Sequence, residues 1–337
     1  MKSRFWHVFM LIVCILALLS LSVFLTACNQ VTPYAPSDTG PETSSEPTPP
    51  AHTDAPTNPP TEPPTEPPTE PPTEPPTEPP TEPPTEPPTE PRPSTPLPEG
   101  SPYTWEQLLA MDRTFQGYGP GTNRDDRNRP TGPIYFNQKY ARYDAYFIAP
   151  DNGNIYLTFS CGFEHENLTA NILDTLLEKN VKAVFFVNMH FTEANPHLIR
   201  RIIDEGHILA NHCSGHPRLP EKSLDEIVRQ IMDMHNYVLE HYGYTMTMFR
   251  PPSGYYSEQV LATAQALGYK TVQYSFAYAD WETESQPDPV YALNRITSSA
   301  HSGAIYLLHA ISSTNAAVLG DAIDFFRAEG YTLELYQ

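Results

Sequence analysis

The sequence predicts an α/β fold in which parallel strands and helices alternate around a barrel. Seven short apolar runs, typical of buried strands, follow one another along residues 154–337, and six helical patterns lie between most of them. Four of these runs also end directly in polar, chemically reactive side chains. Because the loops after the strands build the active site in repeating βα folds, these side chains are expected to meet at one rim.

The predicted strands and helices alternate along most of the C-terminal region. Strands are predicted at residues 155–159, 183–187, 207–211, 246–249, 270–276, 304–309 and 331–336. Helices are predicted at residues 168–179, 196–204, 224–241, 257–267, 292–299 and 315–328. Glycines at positions 206, 243, 268, 303 and 330 lie near the predicted boundaries, where a left-handed cap residue is favoured. An open doubly wound sheet is the alternative, although no G-x-G-x-x-G motif follows the first strand.

The N-terminus has the pattern of an export signal over residues 1–27. Lys2 and Arg4 precede an apolar stretch, which ends in Leu-Thr-Ala and Cys28. This ending resembles a bacterial lipobox and predicts lipidation at Cys28. The alternative is an uncleaved membrane helix, since about 20 apolar residues can span a bilayer. Either reading places the rest of the chain outside the cytoplasm, anchored to the cell membrane.

Residues 28–100 are predicted to be a disordered linker, and residues 101–153 an N-terminal extension that packs on the following domain. The linker repeats Pro-Pro-Thr-Glu up to Glu90, which removes amide donors and favours an extended polyproline conformation. Such an arm suits a membrane-held domain that reaches into a cell wall. In the extension, residues 105–111 predict a short helix, and residues 117–133 predict an irregular loop.

The charge balance is acidic and excludes some classes of partner. The chain carries 40 acidic and 20 basic residues, for a formal net charge of −20. Nucleic-acid binding depends on Lys and Arg side chains that neutralise phosphates, so no nucleic-acid partner is expected. The missing glycine-rich motif gives no reason to expect a nucleotide cofactor either.

The histidines of the run ILANHCSGHPRL indicate a metal site. His212 and His216 lie four residues apart, directly after a predicted strand. Two imidazoles at this spacing can reach one divalent ion, and two His with an acidic or sulfur ligand suit zinc. The alternative is a pair of loop histidines that hold no metal.

Three further polar residues follow predicted strands. His309 ends an apolar strand and is predicted to be a general acid, since imidazole titrates near neutral pH. Asp280 could orient this imidazole. Arg250 stands before two prolines, where it could hold a carboxylate or a substrate oxygen, or form a structural pair. A buried, hydrogen-bonded histidine is the alternative for His309.

Residues 154–337 resemble a polysaccharide deacetylase domain of the NodB-homology type, carbohydrate esterase family 4. The resemblance rests on TFSCGFE, NHCSGH, RPPSG, the Asp280-Trp281 pair and LLH, in that order. The segments RPPSGYYSE and GAIYLLHAISSTNAAVL are similar to the delta-lactam-biosynthetic peptidoglycan de-N-acetylases. The resemblance implies a distorted, incomplete (β/α) barrel. It also implies metal-dependent hydrolysis of the acetamide of N-acetylated amino sugars in peptidoglycan, in particular N-acetylmuramic acid.

The resemblance also implies roles for single residues. His212 and His216 match the metal-binding histidines, His309 the general acid, Asp280 its orienting partner, and Arg250 the arginine that braces the catalytic aspartate. The family has two aspartates in the first motif, one the base and one a metal ligand. This chain has Ser160 at the base position and Cys161 at the ligand position. A thiolate can bind zinc, but a neutral hydroxyl cannot replace a general base.

These departures leave two questions open, one at the base position and one at the cysteines. Glu164 could substitute as the base, and Cys161 with Cys213 could bind the metal, form a disulfide, or remain unpaired. The first functional hypothesis is a peptidoglycan de-N-acetylase, which the remaining motif residues favour. The second is a non-catalytic glycan-binding relative, which Ser160 favours.

Overall fold

The computed structural model describes residues 92–337. The predicted signal segment 1–27, Cys28 and the repeats that end at Glu90 lie outside the described residues. Residues 92–100, the end of the predicted linker, form no helix or strand, but Leu97 packs against the hydrophobic core. Within residues 92–337 there is no helix with the length and apolar character needed to cross a membrane.

Ten strands and nine α-helices make up the described fold. The strands are β1 (Gln116–Gly117), β2 (Ala145–Tyr146), β3 (Asn154–Cys161), β4 (Val184–Val187), β5 (Ile208–Asn211), β6 (Met248–Phe249), β7 (Tyr255–Tyr256), β8 (Lys270–Val272), β9 (Ala304–His309) and β10 (Thr332–Leu333). The helices are α1 (Trp105–Leu109), α2 (Thr131–Tyr140), α3 (Leu168–Glu178), α4 (Met189–Ala194), α5 (Pro196–Asp204), α6 (Leu224–Tyr242), α7 (Glu258–Ala266), α8 (Pro289–Ser298) and α9 (Ser313–Ala328).

Eight of these strands form one parallel sheet that curls on itself. From β9 the order runs through β3, β4, β5, β6 and β8 to β2, while β10 pairs with the start of β3. Beyond β8 the chain turns back to β9 through a parallel bridge between Phe276 and Tyr306. The Ser275 amide also donates to the carbonyl of Ile305 at 2.9 Å. The curled, incompletely closed parallel sheet confirms the predicted barrel.

The apolar runs form strands because helices cover the sheet and bury the side chains of its strands. All but the first residue of β3 are buried, as expected for a parallel strand that packs on both faces. Helix α5 begins with proline at its first turn and buries Leu198, Ile199 and Ile202 along one face. Glycines 206, 243, 268, 303 and 330 all have positive φ angles, which confirms their predicted role at the boundaries.

The structure differs from the sequence prediction mainly at weakly periodic segments. The run 270–276 ends as a strand at Val272, because residues 275–276 leave β8 to pair with β9. Helix α2 begins inside the segment predicted to be irregular, where the sequence has little amphipathic pattern. The extension 101–153 also supplies β2, which pairs with β8 at the edge of the sheet. It is therefore part of the sheet as well as a layer packed against it.

Candidate active site

One cavity opens at the carboxyl ends of the strands. It has a volume of about 780 Å³. Its walls are formed by Tyr118, Ser160, Gly162, Phe163, Asn188, His212, His216, Arg250, Pro251, Ser253, Gly254, Tyr255, Tyr274, Ala277, Trp281, Leu307, His309 and Ile311. The structure thus brings together five residues that the sequence had placed at the ends of four different strands. This arrangement follows from the parallel sheet, whose strand ends share one edge.

His309 and Asp280 form a fully hydrogen-bonded pair on one side of the cavity. The Nδ1–H of His309 donates to Asp280 Oδ1 at 2.6 Å, and the His309 backbone amide donates to Asp280 Oδ2 at 2.9 Å. Asn315 Nδ2 donates to the same Oδ2 at 2.6 Å. The Asp280 side chain is completely buried, whereas His309 remains 24% exposed and lines the cavity. The hydrogen bond at Nδ1 fixes the orientation of the imidazole. Nε2 is then the nitrogen that is available to a substrate.

Aromatic side chains surround the mouth next to this pair. Trp281 is 49% exposed, and its ring centre lies 5.8 Å from that of His309. Phe163 is also exposed at the cavity wall. Large apolar surfaces left in contact with water at a cavity mouth indicate a binding surface. Their flat faces suit the apolar face of a sugar ring.

His212 and His216 are held in a form that can bind a metal ion. Their ring centres lie 5.2 Å apart. Because a carbonyl oxygen only accepts, the His212 Nδ1–H donates to the Arg250 carbonyl at 2.7 Å, which leaves Nε2 as the ligand atom. Burial lowers the pKa of His212 to about 3, and partial burial also lowers the pKa of His216. Both rings are therefore neutral at physiological pH, as metal ligation requires.

Cys161 does not complete this site. Successive side chains of a strand point to opposite faces, so Ser160 lines the cavity while Cys161 points into the hydrophobic core. Burial, and secondarily the charge of Glu164, raises the pKa of the Cys161 thiol and disfavours the thiolate. No three His, Cys, Asp or Glu side chains within residues 92–337 are grouped as a metal site. The histidine pair suits a divalent ion, but the predicted Cys161 ligand is not placed beside it.

The positions of Glu164 and Cys213 answer the remaining questions about the first motif. Glu164 Oε1 accepts the amide of Thr169 near the start of α3 at 3.3 Å, and Glu164 does not line the cavity. The structure therefore places Glu164 outside the cavity lining, with Oε2 buried and without a hydrogen-bond partner among residues 92–337. Cys161 and Cys213 are both buried free thiols, so of the alternatives left open for this pair the structure does not show the disulfide. Cys213 lies between the metal-site histidines in sequence, but its side chain faces the core.

Arg250 is fixed beneath the cavity by backbone carbonyls. It is only 1% exposed; Nε donates to Val272 O at 2.9 Å, and Nη2 donates to Gln273 O at 3.0 Å. Its guanidinium carbon lies 3.9 Å from the ring centre of Phe186. Burial lowers the pKa of Arg250 to about 9, so the side chain remains cationic at neutral pH. The family resemblance implies an aspartate beside Arg250 at position 160, where this chain has a serine that offers only a hydroxyl.

Two contributors to the site have no assigned role in the sequence prediction. Tyr118 belongs to the N-terminal extension, lines the cavity, and donates its hydroxyl proton to the Tyr274 carbonyl at 2.5 Å. Asn315, in the first turn of α9, holds Asp280 in place. The only sequence signal that could have indicated Asn315 as a site residue is its position six residues after His309. No sequence pattern indicated Tyr118.

Comparisons with known proteins agree with the geometry of this cavity. Residues 148–272 match the family described as polysaccharide deacetylase. The chain is 40% identical over 207 residues to the peptidoglycan-N-acetylmuramic acid deacetylase PdaA of Bacillus subtilis, a match that covers 61% of this chain and 78% of PdaA. This chain belongs to the polysaccharide deacetylase family. It has the NodB-type domain of carbohydrate esterase family 4, and that family depends on divalent metals.

Two further similarities bear on the fold and on the range of related proteins. The solved structure of Bacillus subtilis PdaA aligns with a TM-score of 0.63 and 36% identity, over 67% of this chain and 96% of that structure. A peptidoglycan-N-acetylglucosamine deacetylase of Bacillus cereus is 32% identical over 231 residues, which cover 68% of this chain and 81% of the relative. The polysaccharide deacetylase fold is thus established, and the relatives' names include two different amino sugars.

Proposed function

We propose that this polysaccharide deacetylase removes the acetyl group from N-acetylmuramic acid residues of peptidoglycan. The observation that carries the proposal is the intact His309–Asp280 pair, which faces the same cavity as His212 and His216. The 40% identity to a deacetylase named for N-acetylmuramic acid supports the choice of sugar. The reaction is hydrolysis of a carbon–nitrogen amide bond.

Different residues of the cavity have different roles in this hydrolysis. The exposed rings of Trp281 and Phe163 are suited to hold the sugar at the mouth. His309, once protonated at Nε2, would deliver that proton to the departing amine, while buried Asp280 stabilises the imidazolium and keeps its orientation. Proton donation to nitrogen is required because an unprotonated amine anion is a very poor leaving group.

A divalent metal would be held by His212 and His216. Such an ion, with zinc proposed here, supplies polarisation of the acetamide carbonyl and a lower pKa for bound water. Burial favours the neutral form of both imidazoles, and the His212 hydrogen bond leaves Nε2 of that ring for this role. His212 and His216 are the residues that would hold the ion, since Cys161 belongs to the hydrophobic core.

The step in which a general base accepts a proton from the attacking water is expected to be poorly catalysed. The Ser160 hydroxyl lines the cavity where the family has a carboxylate, and Glu164 is engaged at the start of α3. Loss of a general base typically costs 10²–10⁴-fold in rate. The proposed enzyme is therefore an attenuated deacetylase. PdaA and the Bacillus cereus relative are both named as deacetylases, so these two relatives give the non-catalytic glycan-binding alternative no support.

The direct test is acetate release from purified peptidoglycan by the full-length protein with added zinc. Mass spectrometry of the digested glycan should locate new free amines on muramic acid rather than glucosamine residues. Free amines on glucosamine alone would refute the proposed sugar and leave the reaction type standing. Glycan binding without acetate release, in the wild type and in Ser160→Asp, would refute the catalytic role.

We also propose that the protein is a membrane-anchored lipoprotein that acts in the cell wall. The lipobox-like ending before Cys28 and the basic start of the chain support this location. Metabolic labelling with a fatty-acid analogue should mark the wild-type protein and leave Cys28→Ala unmarked. The buried Cys213→Ala variant is the matched control and should be labelled like the wild type. Equal labelling of Cys28→Ala would contradict the anchor.

A further inference from the structure

The guanidinium of Arg250 is a buried cation without an anionic partner. Two of its nitrogens donate to the carbonyls of Val272 and Gln273. The third, Nη1, has no hydrogen-bond partner within residues 92–337, and Arg250 takes part in no ion pair of that region. Carbonyl oxygens satisfy N–H groups but carry no net charge. A buried charge is costly unless an anion compensates it, so this place favours binding of an anion.

A small hydroxyl side chain, that of Ser160, lines the same cavity as this cation. Ser160 on β3 pairs with Phe186 on β4, so both side chains lie on the same face of the sheet. The Arg250 guanidinium packs on the ring of Phe186 at 3.9 Å. Ser160 and Arg250 also line the same cavity. Serine lacks the carboxyl group of aspartate, so both the charge and the volume of a carboxylate are missing here.

We propose that a small free carboxylate, of the size of formate or acetate, binds between Arg250 and Ser160 and acts as the general base. Arg250 Nη1–H and the Ser160 hydroxyl donate to its oxygens. The binding itself is independent of the reaction, whereas its catalytic role rests on the proposed deacetylase function. Acetate is the product of that reaction, so turnover would generate a suitable anion inside the cavity.

The bound anion completes a balanced hydrolysis. Its carboxylate accepts a proton from the attacking water, whose oxygen forms a bond to the acetamide carbonyl carbon. The carbon–nitrogen bond then breaks as His309 gives its Nε2 proton to the nitrogen. The free amino sugar and acetic acid leave, the bound carboxylic acid loses its proton to solvent, and His309 takes one up. The carboxylate is regenerated and no oxidant or reductant is needed.

Binding is tested with the full-length chain in a chloride buffer free of carboxylates and glycan. Isotope-labelled formate, titrated by NMR, should bind saturably to the wild type and to Ser160→Ala, which keeps the cation and enlarges the space. Binding to Ser160→Asp should be about tenfold weaker or more, because the new carboxylate pairs with Arg250. Neutral formamide is the matched probe and should not bind. The absence of glycan separates a free anion from a carboxylate carried by the substrate.

Activity is tested by formation of free amines in peptidoglycan with increasing formate. The wild-type rate should rise saturably by about tenfold or more, a part of the usual effect of a general base, while chloride at equal ionic strength should not raise it. Ser160→Asp should have a high deacetylation rate without formate, and added formate should not raise that rate.

The outcomes separate this inference from the proposed function. Equal formate binding by the wild type and Ser160→Asp, or no saturable binding to the wild type, would overturn the anion site. Saturable binding without a rise in rate, while Ser160→Asp deacetylates, would overturn its catalytic role alone. If Ser160→Asp also forms no free amines, the deacetylase function fails, and the binding titration still decides the anion site.

Discussion

The two sides of the cavity differ in how completely their polar groups are paired. On the His309 side, both oxygens of buried Asp280 accept hydrogen bonds, and the imidazole is fixed by one of them. On the Ser160 side, buried Arg250 keeps one nitrogen without a partner, and a hydroxyl stands where the family has a carboxylate. The proton-donating half is thus complete and the proton-accepting half is not.

The side-chain hydrogen bonds of the two halves are separate, although their strands are neighbours. Ser160 and His309 are paired residues of β3 and β9, yet the imidazole and the backbone amide of His309 donate to Asp280 after β8 and not to β3. Loss of the carboxylate at Ser160 therefore leaves the Asp280 pair undisturbed. Arg250 is likewise held by backbone carbonyls, so it stays in position without its anion.

The largest effect on the deacetylation rate is expected from a change at His309, on the side of the cavity whose hydrogen bonds are complete. His309→Ala, made in the Ser160→Asp background to give a measurable rate, should lower deacetylation by roughly 10²–10⁴-fold, because the leaving amine loses its proton donor. Acetate release from peptidoglycan measures this. His241→Ala, which removes an exposed histidine at the end of α6, is the matched control and should keep the parent rate. A similar loss in both variants would show that the effect is not specific to the cavity.

A carboxylate introduced at position 160 should give the next largest effect on the deacetylation rate. Ser160→Asp is expected to raise the rate in carboxylate-free buffer by about 10²-fold, since the new side chain can accept the proton of the attacking water. Ser160→Asn has nearly the same shape without the charge and should stay near the wild-type rate. Equal rates for wild type and Ser160→Asp would mean that another group already serves as the base.

Metal content tests whether the two histidines act without a sulfur ligand. The purified wild type should bind zinc, and His212→Ala should lose most of it, because only His216 would remain of the pair. Cys161→Ser should retain the wild-type stoichiometry, since the thiol faces the core. Elemental analysis after equilibrium dialysis distinguishes these cases. A sharp fall in Cys161→Ser would restore the ligand set that the sequence resemblance implied.

The smallest expected effect is on stability. Ser160→Asp should raise the free energy of unfolding by about 1.5–3 kcal/mol, because buried Arg250 gains a charged hydrogen-bond partner. Urea denaturation in chloride buffer measures the change. Ser160→Asn, which adds the same bulk without charge, should give little or no gain. A loss of stability in Ser160→Asp would show that the space beside Arg250 does not accept a carboxylate.

The sequence predicted the regular parts of the fold well because burial on two faces requires apolar strands. The run 304–309 matches β9 fully, and the helix 196–204 matches α5, since its proline start and apolar face are unambiguous. Helix α2 and strand β2 were missed, because their few buried residues follow no clear period. Helix α2 packs against β2, and β2 in turn pairs with β8, contacts that no local pattern records.

For the site, the sequence by itself determined which reactive side chains stand at the strand ends and which carboxylate is missing. Ser160, His212, Arg250 and His309 were identifiable because each directly follows or ends an apolar run. His216 was identifiable from its spacing of four residues from His212. Only the tertiary structure decided the direction of each side chain. Strand alternation sends Cys161 into the core, the start of α3 engages Glu164, and Asn315 reaches Asp280 from 35 positions away. Such contacts join residues distant in sequence, so local spacing could not determine them.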